Sequence, residues 1–475
     1  MISLKKLYNS PTLNTWFSFC SKSLGALVFL PILLKTFNIQ EIALYFLFLV
    51  FISFQNLLDF GFYNTFVRAI AYADGGAEEI KPYENLDTTN IIKNTNWNLI
   101  ERIIGTMNVV YKYITIFVFI VLLTSTLSVY GKIQGFENPL QYWISWIIII
   151  CVTTINFYGR IYSNYLLGLN YVALVRRWEG IFAAIAVISN IIVLIITKSF
   201  LATIISYQFW TLINIFRNKY LANKVLNKKY KSINNKKYDK LIFKSLWPVA
   251  WKSGIAGFSS NGVISIAGII YSHFGANLEL AQYLFSVKIL DSIQAFSKAP
   301  IYSKLPQLSK YVSLGNKEKW VNVVKRGISL GNGVFIFSVI ILTFFGEYIL
   351  QITKSNMEFP NITLWTLLSI AFFIHFNGAF HTQIYMTTNK VNAHISDTIS
   401  GIIFITTSLI LLNTFGVMAF PIGLIAGYFG FYFWWAIYFS KQIIGNSFYK
   451  LMFQTTIIYV FLFIIAVLIK IVMLK

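Results

Sequence analysis

The chain has 475 residues, of which 57% are hydrophobic and 18% aromatic but only 12% charged. Soluble globular domains carry about 25% charged residues, so the composition excludes a water-soluble globule. A formal charge of +22 would suggest nucleic acid in a soluble protein; here Lys and Arg collect in every second gap between long apolar runs, which is the signature of loops retained on the cytoplasmic side.

A helix needs about 20 apolar residues to cross hydrocarbon, and windows of that kind follow one another to the end of the chain. Lys5, Lys6 and a polar stretch precede the first, 13–34, which is too long for a signal-peptide core and reads as a retained span with a cytoplasmic N-terminus. Windows at 42–66, 109–130, 142–167, 172–197 and 200–216 complete a first group of six. Between the second and third, the mixed-charge segment 74–108 places Trp97, Ile100, Ile103 and Ile104 at helical spacing, predicting an amphipathic helix on the inner surface. Segment 217–244 follows, with ten basic residues and one acid, Asp239. It is expected as a cytoplasmic linker facing anionic headgroups, and no other feature supports a nucleic-acid site.

A second group follows at 249–271, 280–305, 327–345, 362–387, 395–412, 417–439 and 451–473. The expected domains are an N-terminal bundle (1–216), the basic linker (217–246), a C-terminal bundle (247–440) and an additional C-terminal helix (441–475). Glu41-Ile42-Ala43-Leu44-Tyr45 and Glu279-Leu280-Ala281-Gln282-Tyr283 open the second window of each group. An even number of spans separates these echoes, which predicts a parallel repeat. The fold class expected is an all-α polytopic membrane protein with 12–13 transmembrane helices in two like-oriented six-helix bundles around a central cavity. The alternate gaps, 131–140, 198–199, 272–279, 346–361 and 413–416, are too short for a folded outer domain.

Ionisable groups within spans are costly and point to function. Lys288, Asp291 and Lys298 lie within about 80° of one helix face, as a net positive stripe lining a wet cavity or as a self-neutralising Lys288–Asp291 pair with Lys298 snorkelling. Lys22 lies in a polar stripe with Asn14, Ser18, Ser21 and Gly25, and Arg160 in another with Asn156, Gly159, Ser163 and Asn164. Either can serve an anionic ligand or an interhelical hydrogen bond. Asp59 can cap or pair, and His375 is a proton relay or a satisfied bundle histidine. Glu179 and Asp397 fall near span ends and carry no role in this reading. No glycine-rich phosphate loop, metal-ligand spacing or nucleophile elbow occurs, so neither an enzyme nor a cofactor is expected.

Leu57-Leu58-Asp59-Phe60-Gly61-Phe62, followed by Arg68 and Tyr72-Ala73-Asp74-Gly75-Gly76, in two like-oriented halves, resembles the polysaccharide-exporter branch of the multidrug/oligosaccharidyl-lipid/polysaccharide (MOP) superfamily. Within it the chain looks most like an O-antigen (Wzx-type) flippase. That resemblance implies a bacterial inner-membrane protein that moves an undecaprenyl-pyrophosphate-linked oligosaccharide, an O-antigen or capsule repeat unit, from inner to outer leaflet by alternating access coupled to an ion gradient. It also implies glycan polymerase or assembly partners. On this reading Lys22, Arg160, Lys288 and Lys298 contact the pyrophosphate, and Asp291, Asp59 and His375 are the ion-coupling candidates. The alternatives are a MATE-type drug or cation antiporter, which calls for an acid-rich cavity, and a membrane glycan polymerase or ligase, which calls for a sizeable outer loop.

Overall fold

The computed structural model describes residues 10–74, 76–79, 95–226, 237–257, 263–274, 276–302, 304, 308, 317–386 and 393–473. Gly75, the middle of the basic linker and most of 305–316 lie outside them. Among the described residues the regular structure is helical and no strand occurs. Seven helical stretches among them are long and apolar enough to cross a membrane; the last, Ala393–Met473, runs through several helices joined by short 3₁₀ and π segments. By compactness the chain divides into two units, Met1–Lys22 with Leu47–Ser265 and Ser23–Phe46 with Ile266–Lys475.

The first described helix is α1 (Pro11–Leu24), followed, after a π segment at Gly25–Phe29, by α2 (Leu30–Thr36). Asn38 and Glu41 then start α3 (Ile39–Leu57) as a reciprocal cap. The Glu41 N–H donates to Asn38 Oδ1 at 2.8 Å and the Asn38 N–H donates to Glu41 Oε2 at 3.1 Å.

The window expected at 42–66 does not run as one helix. It stops at Leu57 and resumes as α4 (Phe62–Asp74) after a turn in which Phe60 and Gly61 are left-handed, with φ of 50° and 73°. Asp59 supports the restart: its Oδ2 accepts the Tyr63 N–H at 2.6 Å, serving a donor that the first turn of α4 would otherwise leave open.

The surface helix expected within 74–108 is likewise corrected over its described part. Asn96 Oδ1 accepts the Leu99 N–H at 3.0 Å and starts α5 (Trp97–Thr124), which continues unbroken past residue 108. Ile100, Ile103 and Ile104 are buried and prolong one apolar stripe along α5, so no signal ends the helix there. A short α6 (Thr126–Gln134) leads to α7 (Leu140–Gly168), α8 (Val172–Thr197), α9 (Phe200–Leu226) and α10 (Lys240–Gly257). α7 ends with Asn170 left-handed, the Asn170 and Tyr171 N–H groups donating to Leu167 O and Leu166 O. Left-handed Lys198 makes the two-residue link between α8 and α9. α10 runs directly over the Phe60 turn: a Cβ added at Gly254 would lie 2.6 Å from the Phe60 carbonyl carbon. Asp239 caps α10 through the N–H groups of Leu241 and Ile242, and its other oxygen accepts Arg102 Nε of α5 at 2.7 Å.

The second unit contains α11 (Val263–Phe274) from Ile266 onward, α12 (Asn277–Tyr302), α13 (Lys317–Ile352), α14 (Ile362–Met386), α15 (Ala393–Phe415), α16 (Ala419–Gly427), α17 (Phe433–Ile444), α18 (Phe448–Met452) and α19 (Ile458–Met473). Its buried polar core centres on Asn332. That amide donates to Asn377 Oδ1 at 3.0 Å and to Thr455 O at 2.6 Å, within the π segment Phe453–Ile457 that precedes α19. Ser329 and Tyr459 also meet at 3.1 Å, fastening α19 to α13.

Candidate functional site: a cationic cavity in the first unit

The turn after α3 and helices α1, α4, α7, α8 and α9 enclose a cavity of about 600 Å³. Four cations line it, Lys22, Arg160, Arg176 and Arg217, against two carboxylates, Asp59 and Glu179, a formal excess of two positive charges. Asn56, Asn64, Asn156, Asn214 and Ser163 add neutral polar groups.

Each charge is placed by its helix. The polar stripe of α1 faces α8, which approaches closely because a Cβ at Gly180 would fall 2.5 Å from the Phe17 ring. This brings Lys22 Nζ to 3.0 Å and Ser18 Oγ to 3.4 Å from Glu179 Oε2. Arg176, one turn before Glu179 on α8, donates to the same oxygen at 2.9 Å. The polar stripe of α7 faces α3 and α5. Asn156 donates to Gln55 Oε1 at 2.8 Å, Asn164 donates to the Tyr111 hydroxyl at 3.0 Å, and Arg160 Nη2 donates to Asn56 Oδ1 at 2.6 Å. Arg160 Nη1 lies 3.8 Å from Asp59 Oδ1, and the guanidinium covers the Phe157 ring. Arg217 donates to Asn214 and Asn218 and lies over the Phe182 ring. Among the described residues it closes no ion pair.

The two carboxylates are not equivalent. Asp59 is tied to the fold, accepting the Tyr63 N–H with one oxygen and the Tyr111 hydroxyl, at 2.8 Å, with the other. Among the described residues, Glu179 accepts hydrogen bonds from groups that face the cavity or lie beside it: Lys22, Arg176 and Ser18.

Of the sequence candidates, Lys22, Arg160 and Asp59 therefore meet in one cavity, while Lys288, Asp291, Lys298 and His375 belong to the second unit. There Lys298 Nζ donates to Gln294 Oε1 at 2.6 Å, Gln294 Nε2 lies 3.4 Å from His375 Nδ1, and buried His375 stacks on Tyr428. Lys288 and Asp291 are exposed, and among the described residues no ion pair joins them. Arg176, Glu179 and Arg217 were absent from the sequence candidates. Arg176 and Glu179 carried the signal of opposite charges three residues apart on one helix. Arg217 looked like linker because the apolar window ends at residue 216, whereas α9 continues to Leu226.

Apolar helices on this scale, two compact helical units and a polar cavity make the chain a multi-pass α-helical membrane protein. No protein-family profile matches the sequence, and no curated protein does. Its fold is shared with a multidrug resistance MATE family transporter of the MOP superfamily in an inward-facing conformation. That likeness has a TM-score of 0.66 and 12% identity, covering 90% of this chain and 96% of the other. Lipid II flippase MurJ in an inward closed conformation is also similar, with a TM-score of 0.62 and 14% identity over 96% and 97% of the two chains. An outward-facing MATE transporter matches at a TM-score of 0.58 and 12% identity, over 92% and 97%.

Proposed function

We propose that this chain is a flippase for an anionic lipid-linked oligosaccharide, carried on undecaprenyl pyrophosphate and moved from inner to outer leaflet by alternating access. The observation that carries this reading is the excess of cations in the first-unit cavity. A pyrophosphate loses its hydration on leaving water, and fixed guanidinium groups offset that loss. Lys22 and Arg160, joined now by Arg176 and Arg217, are the proposed phosphate contacts. Lys288 and Lys298 are further substrate cations of the second unit, and Asp291, Asp59 and His375 stand as candidates for ion coupling. The lipid partner, the glycan-assembly partners and the bacterial inner-membrane location belong to the same proposal.

The test is outer-leaflet appearance of lipid-linked oligosaccharide with Arg160→Gln and Arg217→Gln variants, at matched protein abundance. Each single change is expected to reduce transport about tenfold, the scale of one lost charge-assisted hydrogen bond, and the pair to abolish it. Full transport by the double variant would reject the phosphate role. A second reading, export of organic cations, is supported by the MATE-like fold; the cavity charge opposes it. Export of a cationic dye by a chain inactive on glycolipid would favour it.

The proposed orientation places the basic linker in the cytoplasm. A cysteine at Asn234, outside the described residues, should resist an impermeant thiol reagent added to intact cells and react after permeabilisation. Labelling from outside would invert the topology.

A further inference from the structure

Resting on the reading above, we propose that Glu179 is a displaceable counter-ion, whose place at Lys22 and Arg176 is taken by a phosphate group entering the cavity. Three donors converge on one Glu179 oxygen: Lys22 Nζ at 3.0 Å, Arg176 Nη1 at 2.9 Å and Ser18 Oγ at 3.4 Å. An ammonium, a guanidinium and a hydroxyl around a single acceptor match the needs of a phosphate oxygen as well as those of a carboxylate. The Lys22 side chain is 49% exposed against 19% for Glu179, so an incoming anion approaches the pair from the lysine side. Asp59 is excluded from this role, because leaving its place would uncap α4 and strand the Tyr111 hydroxyl.

The consequence is an affinity held in check. With Glu179 in place, two of the four cations already share its single negative charge, and a phosphate gains only the difference between its own contacts and those it displaces. A transported ligand must bind well enough to enter and weakly enough to leave. Neutralising Glu179 removes both the competition and the repulsion of a nearby negative charge, worth about tenfold in affinity at a few ångströms in a partly solvated site.

The experiment is binding of inorganic pyrophosphate and of farnesyl pyrophosphate to the full chain in nanodiscs, by titration calorimetry. It compares the parent with Glu179→Gln, Glu179→Asp, Arg160→Gln and the charge-balanced pair Lys22→Gln/Glu179→Gln. We expect Glu179→Gln to bind about tenfold tighter, the charge-balanced pair to return near the parent, and transport by Glu179→Gln to slow because release slows. Glu179→Asp, one methylene shorter, should tighten binding by a smaller factor and carries the test if Glu179→Gln does not accumulate. Weaker binding by Arg160→Gln together with unchanged or weaker binding by both folded Glu179 variants would overturn this inference and leave the flippase reading standing. Indifference of binding to Arg160→Gln would overturn both. Tighter binding of farnesyl than of inorganic pyrophosphate assigns the site to a lipid headgroup, and equal binding assigns it to a free anion; the Glu179 effect is required in either case.

Discussion

Replacing Gly254 with alanine is expected to weaken the protein by about 1–3 kcal/mol, the range for forcing one extra carbon into packed surroundings. The added Cβ would lie 2.6 Å from the carbonyl carbon, 2.7 Å from the Cα and 2.8 Å from the oxygen of Phe60. These are backbone atoms in a turn already held left-handed at Phe60 and Gly61, so they cannot yield as a side chain would. The Phe62, Phe243 and Trp247 rings, in contact between α4 and α10, resist withdrawal of α10. Leucine at the same position should prevent accumulation of folded protein. The measurement is the fraction remaining monodisperse in detergent after heating, with Gly430→Ala as the control, since nothing beyond its own helix backbone and chain neighbours lies within 4 Å of a Cβ built there. A Gly254→Ala variant as heat-resistant as the parent would mean that α10 can move away from the turn freely.

Asp59→Ala is expected to be at least as damaging. It removes the acceptor for the Tyr63 N–H and for the Tyr111 hydroxyl, and leaves Arg160 without its carboxylate. Leaving the buried Tyr111 hydroxyl without its acceptor costs about 1–3 kcal/mol, and loss of a helix cap about 1 kcal/mol more; Arg160, 3.8 Å away and facing the cavity, adds a smaller loss. Asp59→Asn keeps the shape and one acceptor oxygen, so it should recover part of the heat resistance that alanine loses. Were Asp59 an ion carrier and nothing else, both variants would accumulate and resist heat like the parent, and only the dependence of transport on the ion gradient would vanish. Heat resistance therefore separates the two roles, and the Tyr63 and Tyr111 bonds favour the structural one.

Among the described residues the apolar windows of the sequence fall mostly on helices, because burial in lipid imposes a long hydrophobic run whatever the neighbours. The break at Leu58–Gly61 was less visible. Asp59 sat inside an otherwise apolar window, and only its contacts with Tyr63 and Tyr111 reveal how the following helix is restarted. The close approach at Gly254 left no sequence signal, since a glycine in an apolar helix does not announce what crosses it. For the cavity, Lys22 and Arg160 were legible as charges within polar stripes. Depth judged by distance along the chain misled at Glu179 and Arg217: Glu179 lies in the second turn of α8 yet turns toward Lys22, and α9 carries Arg217 beyond its apolar window.

The membership of residues 23–46 in the second unit sets a timetable for biogenesis. Ser355 and Asn356, in the connection between α13 and α14, donate to the carbonyls of Leu34, Lys35 and Phe37 across 319 to 321 residues of chain. At translation rates of about 5–20 residues per second, Asn356 leaves the ribosome about 15–60 s after Leu34. The first unit has all its residues once Ser265 is made, whereas α2 and the start of α3 must remain uncommitted until the following chain arrives. A nascent chain halted at Ser265 therefore carries an early segment with no permanent place to dock. That waiting period is where premature pairing of α2, and recognition by membrane quality control, would concentrate.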